Sequence, residues 1–215
     1  MALTLHMHPL SSYCWKTLLA LYENDTAFTA HVVDLADPGA RAAFNKLWPI
    51  GKFPVLQDGA RDRTVPESSI IIEYLALHYP GKVALVPKDA SLAVEMRMRD
   101  RFYDLYVHEP MQKIVDDRLR PAGKNDPYGV EQAQARLETA YGIIDDAMAT
   151  RTWATGEHFG MADCSAAPAL YYANRVHPFG DEHPNVAAYL MRLEARPSFA
   201  RVLREAQPYM AMFPK

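Results

Sequence analysis

Three short stretches within the first seventy residues carry side chains able to handle a thiol and a zwitterionic peptide end. They are Ser11 Ser12 Tyr13 Cys14, then Gly51 Lys52 Phe53 Pro54 Val55 Leu56, then Pro66 Glu67 Ser68 Ser69. A hydroxyl between a strand end and a helix start can donate to a thiolate, and the free N–H groups of the first helical turn add partial positive charge. A thiol with pKa near 8.5 is about 3% ionised at pH 7, and lowering that value by roughly two units, about 2.7 kcal/mol, makes it mostly thiolate. Ser11 and Ser12 are therefore the candidate thiol-activating residues, although serine at such a position is also an ordinary N-cap.

The second stretch places a proline where a strand begins. If the Phe53–Pro54 bond is cis, the backbone of Phe53 turns outward and can pair with an extended peptide as an added strand would; a trans proline opening an edge strand is the plainer alternative. Lys52 beside it can hold a carboxylate. In the third stretch Glu67 suits an α-amino group, and the Ser68 hydroxyl with neighbouring helix N–H groups suits an α-carboxylate. Helix-dipole and capping roles account for the same two residues taken alone.

These groups need elements to position them. Residues 3 to 7 alternate with Leu3 and Leu5 on one side, and His8 Pro9 Leu10 breaks the strand. Trp15, Leu18, Leu19 and Tyr22 then mark a helical face, ended by Asn24 Asp25. Alternation over residues 28 to 33 predicts a second strand, so strand, helix, strand follow within about thirty residues as a parallel crossover. A weakly marked helix at 41 to 46 comes next. Residues 55 to 57 and 63 to 65 read as two strands around Asp58 Gly59, and 68 to 78 as an apolar helix stopped by Pro80 Gly81.

Beyond residues 81 to 89 the strand patterns vanish. Leu92, Met96, Arg99, Phe102, Tyr103 and Tyr106 share one side of a predicted long helix reaching Glu109, where Pro110 should kink or end it. Further helices are expected at 129 to 149, 156 to 173, 185 to 196 and 198 to 207, with Pro184 and Pro197 at starts and breaks. The 215 residues suit two unequal domains. A net charge of −3 without a Lys/Arg stripe argues against nucleic acid and anionic membranes as partners. No basic-then-apolar leader or run of eighteen apolar residues occurs, and two cysteines fit a reducing compartment, so a cytoplasmic protein is expected.

With these motifs in this order, the first eighty residues resemble the thioredoxin-like domain of cytosolic glutathione transferases, and the remainder resembles their helical C-terminal domain. The likeness implies an α/β plus all-α fold: a glutathione-binding domain (βαβ-α-ββα) over 1–80, a linker over 81–89, and a helical bundle over 90–215. Within that family a Ser, Tyr or Cys after the first strand activates the thiol, the residue before a cis-proline pairs with the cysteinyl backbone, and a Glu Ser or Gln Ser pair holds the γ-glutamyl end. The resemblance thus implies such roles for Ser11, for Phe53 with Pro54, and for Glu67 with Ser68, and a contact of Lys52 with the glycine carboxylate. Ser11 Ser12 Tyr13 Cys14 Trp15 Lys16 is similar to the serine-type theta, zeta and related bacterial classes, in which the first serine acts; Ser12 is the reserve. A homodimeric detoxification enzyme is implied, with glutathione as co-substrate, a hydrophobic electrophile as acceptor and no metal.

The acceptor pocket is expected between the domains, with Leu10, Tyr103, Tyr106, Met111, Tyr209 and Phe213 as walls. His108 and Glu109 are read as exposed or pocket-edge, without a role. Relatives usually carry Ser or Thr where this chain has Gly160, so only the Asp163 half of a reciprocal helix cap is expected, at a cost in local stability. Three other activities fit the motifs. A zeta-like maleylacetoacetate isomerase would use glutathione as cofactor, a thiol transferase would use Cys14, and a ligand carrier would keep the fold without chemistry. Cys14 falls one turn into its helix, where a packed thiol is the ordinary outcome. His6 and His8 share one strand face with no fixed partner, which disfavours a metal site with Cys14.

Overall fold

The computed structural model describes residues 3–214; Met1, Ala2 and Lys215, at the ends of the two expected domains, lie outside the described residues. Four strands, β1 (Leu3–Met7), β2 (Phe28–Val32), β3 (Val55–Asp58) and β4 (Arg63–Pro66), form one mixed sheet in the order β2-β1-β3-β4. β1 runs parallel to β2 and antiparallel to β3, with Leu5 opposite both Ala30 and Leu56. Leu3, Leu5 and Met7 are buried while Thr4 and His6 are half-buried, the period of two that the alternation predicts. β2 departs from it: from Thr29 to Val32 every residue is exposed, because this strand closes the sheet at one edge.

Helices α1 (Ser12–Glu23), α2 (Pro38–Leu47) and α3 (Ser68–His78) flank the sheet. α2 is longer than the sequence predicts, since Asp37 caps Gly39 N–H at 2.9 Å and Pro38 occupies the first turn. It buries Phe44 with Val33 and Val55 on one side of the sheet. α1 is buried almost all round because it packs against α3 on one side and the helical half on the other. Trp15 sits among Tyr171, Tyr172 and Phe199, its indole N–H donating to Pro9 O at 2.6 Å.

The helical half comprises α4 (Ala90–Phe102), α5 (Glu109–Arg118), α6 (Pro127–Met148), α7 (Met161–Val176), α8 (Pro184–Glu194) and α9 (Pro197–Ala206). Pro110 does not end the long helix. A π-helical turn over Tyr103–His108 joins α4 to α5 directly before Pro110, whose missing N–H leaves a carbonyl of that turn without its helical donor. That turn also resets the helical faces. Met96, Asp100, Tyr103, Asp104 and Val107 face inward, whereas Leu92 and Tyr106, expected on the same side, are exposed.

Two buried polar clusters lock the halves together. Lys16 of α1, 1% exposed, lies 2.9 Å from Asp104 Oδ2 and 2.7 Å from Asp100 Oδ1, and donates to Ser69 Oγ at 2.8 Å. Ser69 in turn donates to Asp100 Oδ2 at 2.6 Å, and Ser165 to Asp104 Oδ1 at 2.8 Å. At the far end of α1, Glu23 accepts from Arg196 Nε at 2.9 Å and from the Ser198 hydroxyl.

The start of α7 shows how glycine serves at position 160. A Cβ there would stand 2.4 Å from the Met96 methyl. Met96 Sδ instead accepts the Ala162 N–H at 3.3 Å, occupying the place of the missing hydroxyl. Asp163 supplies the reciprocal half, accepting Gly160 N–H at 2.9 Å, Ala154 N–H at 2.8 Å and the Tyr189 hydroxyl at 2.5 Å. Burial nevertheless raises its pKa to about 6.

Candidate active site

Ser11 is the N-cap of α1, with extended backbone (φ −73°, ψ 117°), and its Oγ accepts Cys14 N–H at 3.4 Å. Accepting that bond leaves the hydroxyl hydrogen itself to be donated. Ser12 is 7% exposed, and its Oγ is engaged by His108 Nε2 from the end of the π-helical turn. His108 is buried, and burial, opposed by Asp104, pushes its pKa down to about 4, so the imidazole is neutral near pH 7. Tyr13 lays its ring 4.2 Å from the His108 ring, and burial with Asp104 nearby keeps its phenol protonated.

Both serines open onto a cavity of 760 Å³ between the halves. His8, Leu10, Lys52 and Phe53 line it from the sheet side, and Met111, Tyr172 and Phe213 from the helical side. A second cavity of 470 Å³ adjoins it and holds Pro54, Glu67 and Ser68. Tyr13, Lys52 and Phe53 belong to both walls. The Phe53–Pro54 peptide is cis. Glu67 has φ +69°, a conformation rare for a residue with a side chain, and makes no capping bond, so the first N–H groups of α3 stay open toward its carboxylate and the buried Ser68. Non-glycine residues so held cost of order 1–3 kcal/mol and cluster at ligand clamps.

The structure thus brings Ser11, Ser12, Lys52, Phe53, Pro54, Glu67 and Ser68 around two adjoining chambers, with Leu10, Met111 and Phe213 on the larger one. Three expected wall residues are elsewhere. Tyr103 is 2% exposed in the core, where the π-helical turn points it at Tyr189. Tyr106 faces a separate groove of 380 Å³ with Phe102 and Ile143. Tyr209 lines neither chamber; past the 3-10 turn over Gln207–Met212, partly buried Phe213 lines the larger one, with exposed Met212 at its border. His108, read as exposed or pocket-edge without a role, is buried rather than exposed, lines the larger chamber and is bonded to Ser12. Its signal was the run of polar residues at 104 and 108, four apart on one face, which the stripe of aromatics overrode. His8, weighed from the sequence only as a metal ligand, and Tyr172 also line the chamber; Tyr172 donates to Leu10 O at 2.9 Å.

The alternatives at Cys14 and the histidines meet concrete obstacles. Cys14 is fully buried, and burial raises its pKa to about 12, the reverse of a reactive thiol. His6 bonds Gln57 at 2.6 Å, and His8 accepts Leu10 N–H at 3.2 Å, so neither is directed at Cys14.

A four-stranded thioredoxin-like domain with these motifs on one chamber, backed by a helical domain that completes the wall, defines a class of enzymes that act with a thiol peptide. Comparison with known proteins agrees: residues 5–83 match the "Glutathione S-transferase, N-terminal domain" model and residues 127–192 the "Glutathione S-transferase, C-terminal domain" model. The chain belongs to the glutathione S-transferase family. It is 33% identical over 143 residues to a glutathione S-transferase-like protein, LUC7, of a Fusarium species, covering 66% of this chain and 63% of that protein. It is 27% identical to glutathione S-transferase F6 of Arabidopsis thaliana over 207 residues, 91% of this chain and 96% of the relative. A crystal structure of a glutathione S-transferase from Methylobacillus flagellatus with glutathione bound superposes with a TM-score of 0.85 at 25% identity, covering 94% and 98% of the two chains.

Proposed function

We propose that this enzyme holds glutathione as the thiolate beside Ser11 and conjugates it to hydrophobic electrophiles that enter the larger chamber. The observation that carries the reading is the shared wall of Tyr13, Lys52 and Phe53 between two chambers, one bearing two helix-start hydroxyls and the other bearing Glu67 and Ser68. Glu67 and Ser68 take the γ-glutamyl end, the backbone of Phe53 pairs with the cysteinyl unit, and Lys52 takes the glycine carboxylate. The bound glutathione of the Methylobacillus relative supports the ligand.

Among the two serines, Ser11 is favoured because it lines the larger chamber as the helix N-cap, held by a long 3.4 Å bond from Cys14 N–H, whereas Ser12 is buried and engaged by His108. The serine-type assignment follows from that choice. The thiolate attacks an electrophilic carbon, the carbon–sulfur bond forms as the leaving group departs or the acceptor bond opens, and the thiol proton has already passed to solvent. Positioning and thiolate stabilisation supply the catalysis. Residues 1–80 hold the tripeptide, 81–89 connect, and 90–215 shape the acceptor wall. Cytoplasmic detoxification by a homodimer is the setting that fits. Among the described residues no helix is long and apolar enough to cross a membrane.

The test compares Ser11→Ala and Ser12→Ala with a chlorodinitrobenzene-type acceptor, alongside ultraviolet titration of the bound thiol. Losing two units of pKa depression drops the thiolate at pH 7 from about three quarters to about 3%, roughly 25-fold in rate. Ser11→Ala should show that loss with glutathione affinity largely kept, and Ser12→Ala a much smaller one. Wild-type turnover in Ser11→Ala sinks the assignment.

A further inference from the structure

We propose that Glu138, Glu182 and His183 form a divalent transition-metal site, suited to zinc, on the outer side of the helical domain away from both chambers. One ligand atom from each lies within 4.8 Å of the other two. His183 Nε2 and Glu138 Oε2 are already 3.1 Å apart. Two zinc bonds of about 2.0–2.1 Å at a tetrahedral angle separate their donor atoms by about 3.3 Å, so this pair stands near ligand spacing. Glu182, exposed and adjacent to His183 in the chain, closes the set by side-chain rotation. Two carboxylates balance the dication, and the fourth position is left to water.

The surroundings prepare the site. His177 Nε2 contacts the other Glu138 oxygen at 2.5 Å, the outer partner that fixes a ligating carboxylate. The rings of His177 and His183 both rest on buried Tyr141, at 6.1 Å and 5.6 Å between centroids, and the Tyr141 hydroxyl donates to His177 O at 2.9 Å. Glu138 comes from α6 and His183 precedes α8, so one ion ties those two helices, while His177 at the end of α7 steadies the Glu138 carboxylate. Binding replaces the His183–Glu138 hydrogen bond with two metal bonds, the neutral imidazole keeping its one proton on Nδ1 while Nε2 takes the ion.

Chelator-treated protein titrated with Zn²⁺ in a calorimeter should take up one ion per chain in the micromolar range, and its thermal midpoint should rise with zinc. Glu182→Gln, at an exposed position, should weaken uptake by roughly tenfold or more and His183→Gln should abolish it, both losing the thermal shift. No uptake by the wild-type chain overturns the site. Unchanged uptake in Glu182→Gln does too, since the ion would then be held elsewhere, and this variant decides the matter even if His183→Gln fails to fold.

Discussion

Lys16→Met is the sharpest perturbation of the junction between the two halves. The ammonium is 1% exposed and faces two carboxylates, Asp100 and Asp104, themselves 1% and 4% exposed. Methionine fills a similar volume, so packing is largely kept and the change is one of charge. Removing one partner of a buried ion pair costs about 3–5 kcal/mol because the remaining charge is uncompensated. Asp104 retains Arg101 and Ser165, whereas Asp100 retains only Ser69, so Asp100 bears most of the penalty. Burial already raises the Asp100 pKa, with Lys16 pulling it down; without Lys16 it rises further. A carboxyl raised in the folded state contributes stability that is present below its unfolded pKa, about 3.9, and lost as pH rises through the folded value. The variant should therefore lose about 3–5 kcal/mol at pH 7 and recover part of it near pH 5. Urea unfolding at both pH values, followed by tryptophan fluorescence, reads the effect, and adding Asp100→Asn should restore stability at pH 7. A loss under about 1 kcal/mol, equal at both pH values, would refute the claim that these charges are held in a low-dielectric junction.

Two further outcomes follow from single residues. Glu67→Gly relieves a positive φ and should raise stability by about 1 kcal/mol in thermal unfolding while raising the KM for glutathione; a drop in stability would show that the backbone there is unstrained. Met96→Leu keeps the volume but leaves the buried Ala162 N–H without its sulfur acceptor, costing about 1–2 kcal/mol with faster exchange of that amide; unaltered exchange would deny the thioether a capping role.

Much of the sheet domain was legible because its signals are local. Alternation at Leu3 and Leu5, the Asp58 Gly59 turn and the apolar run from Ser68 to His78 each specify an element within ten or so residues, and α3 falls where the pattern puts it. The same locality exposed Ser11, Phe53, Pro54, Glu67 and Ser68. What failed was partly phase. A constant period of 3.6 residues carried from Leu92 to Tyr106 ignores the π-helical turn, so Tyr106 falls outside the expected chamber while His108 and Met111 line it; Tyr103 keeps the inward face but ends in the helical core. The tail erred as well, since past a 3-10 turn Phe213 rather than Tyr209 lines the chamber. Gly160 taught another limit: its missing hydroxyl is answered by Met96, sixty-four residues earlier, and no local pattern carries that.

The common partition of Tyr13, Lys52 and Phe53 bears on how the catalytic cycle ends. In the proposed binding mode a conjugate would occupy both rooms, so either end that lets go would still be tethered by the other and fall back readily. Departure would then require simultaneous release, and product occupancy, more than bond-making, is expected to set the pace with a good acceptor.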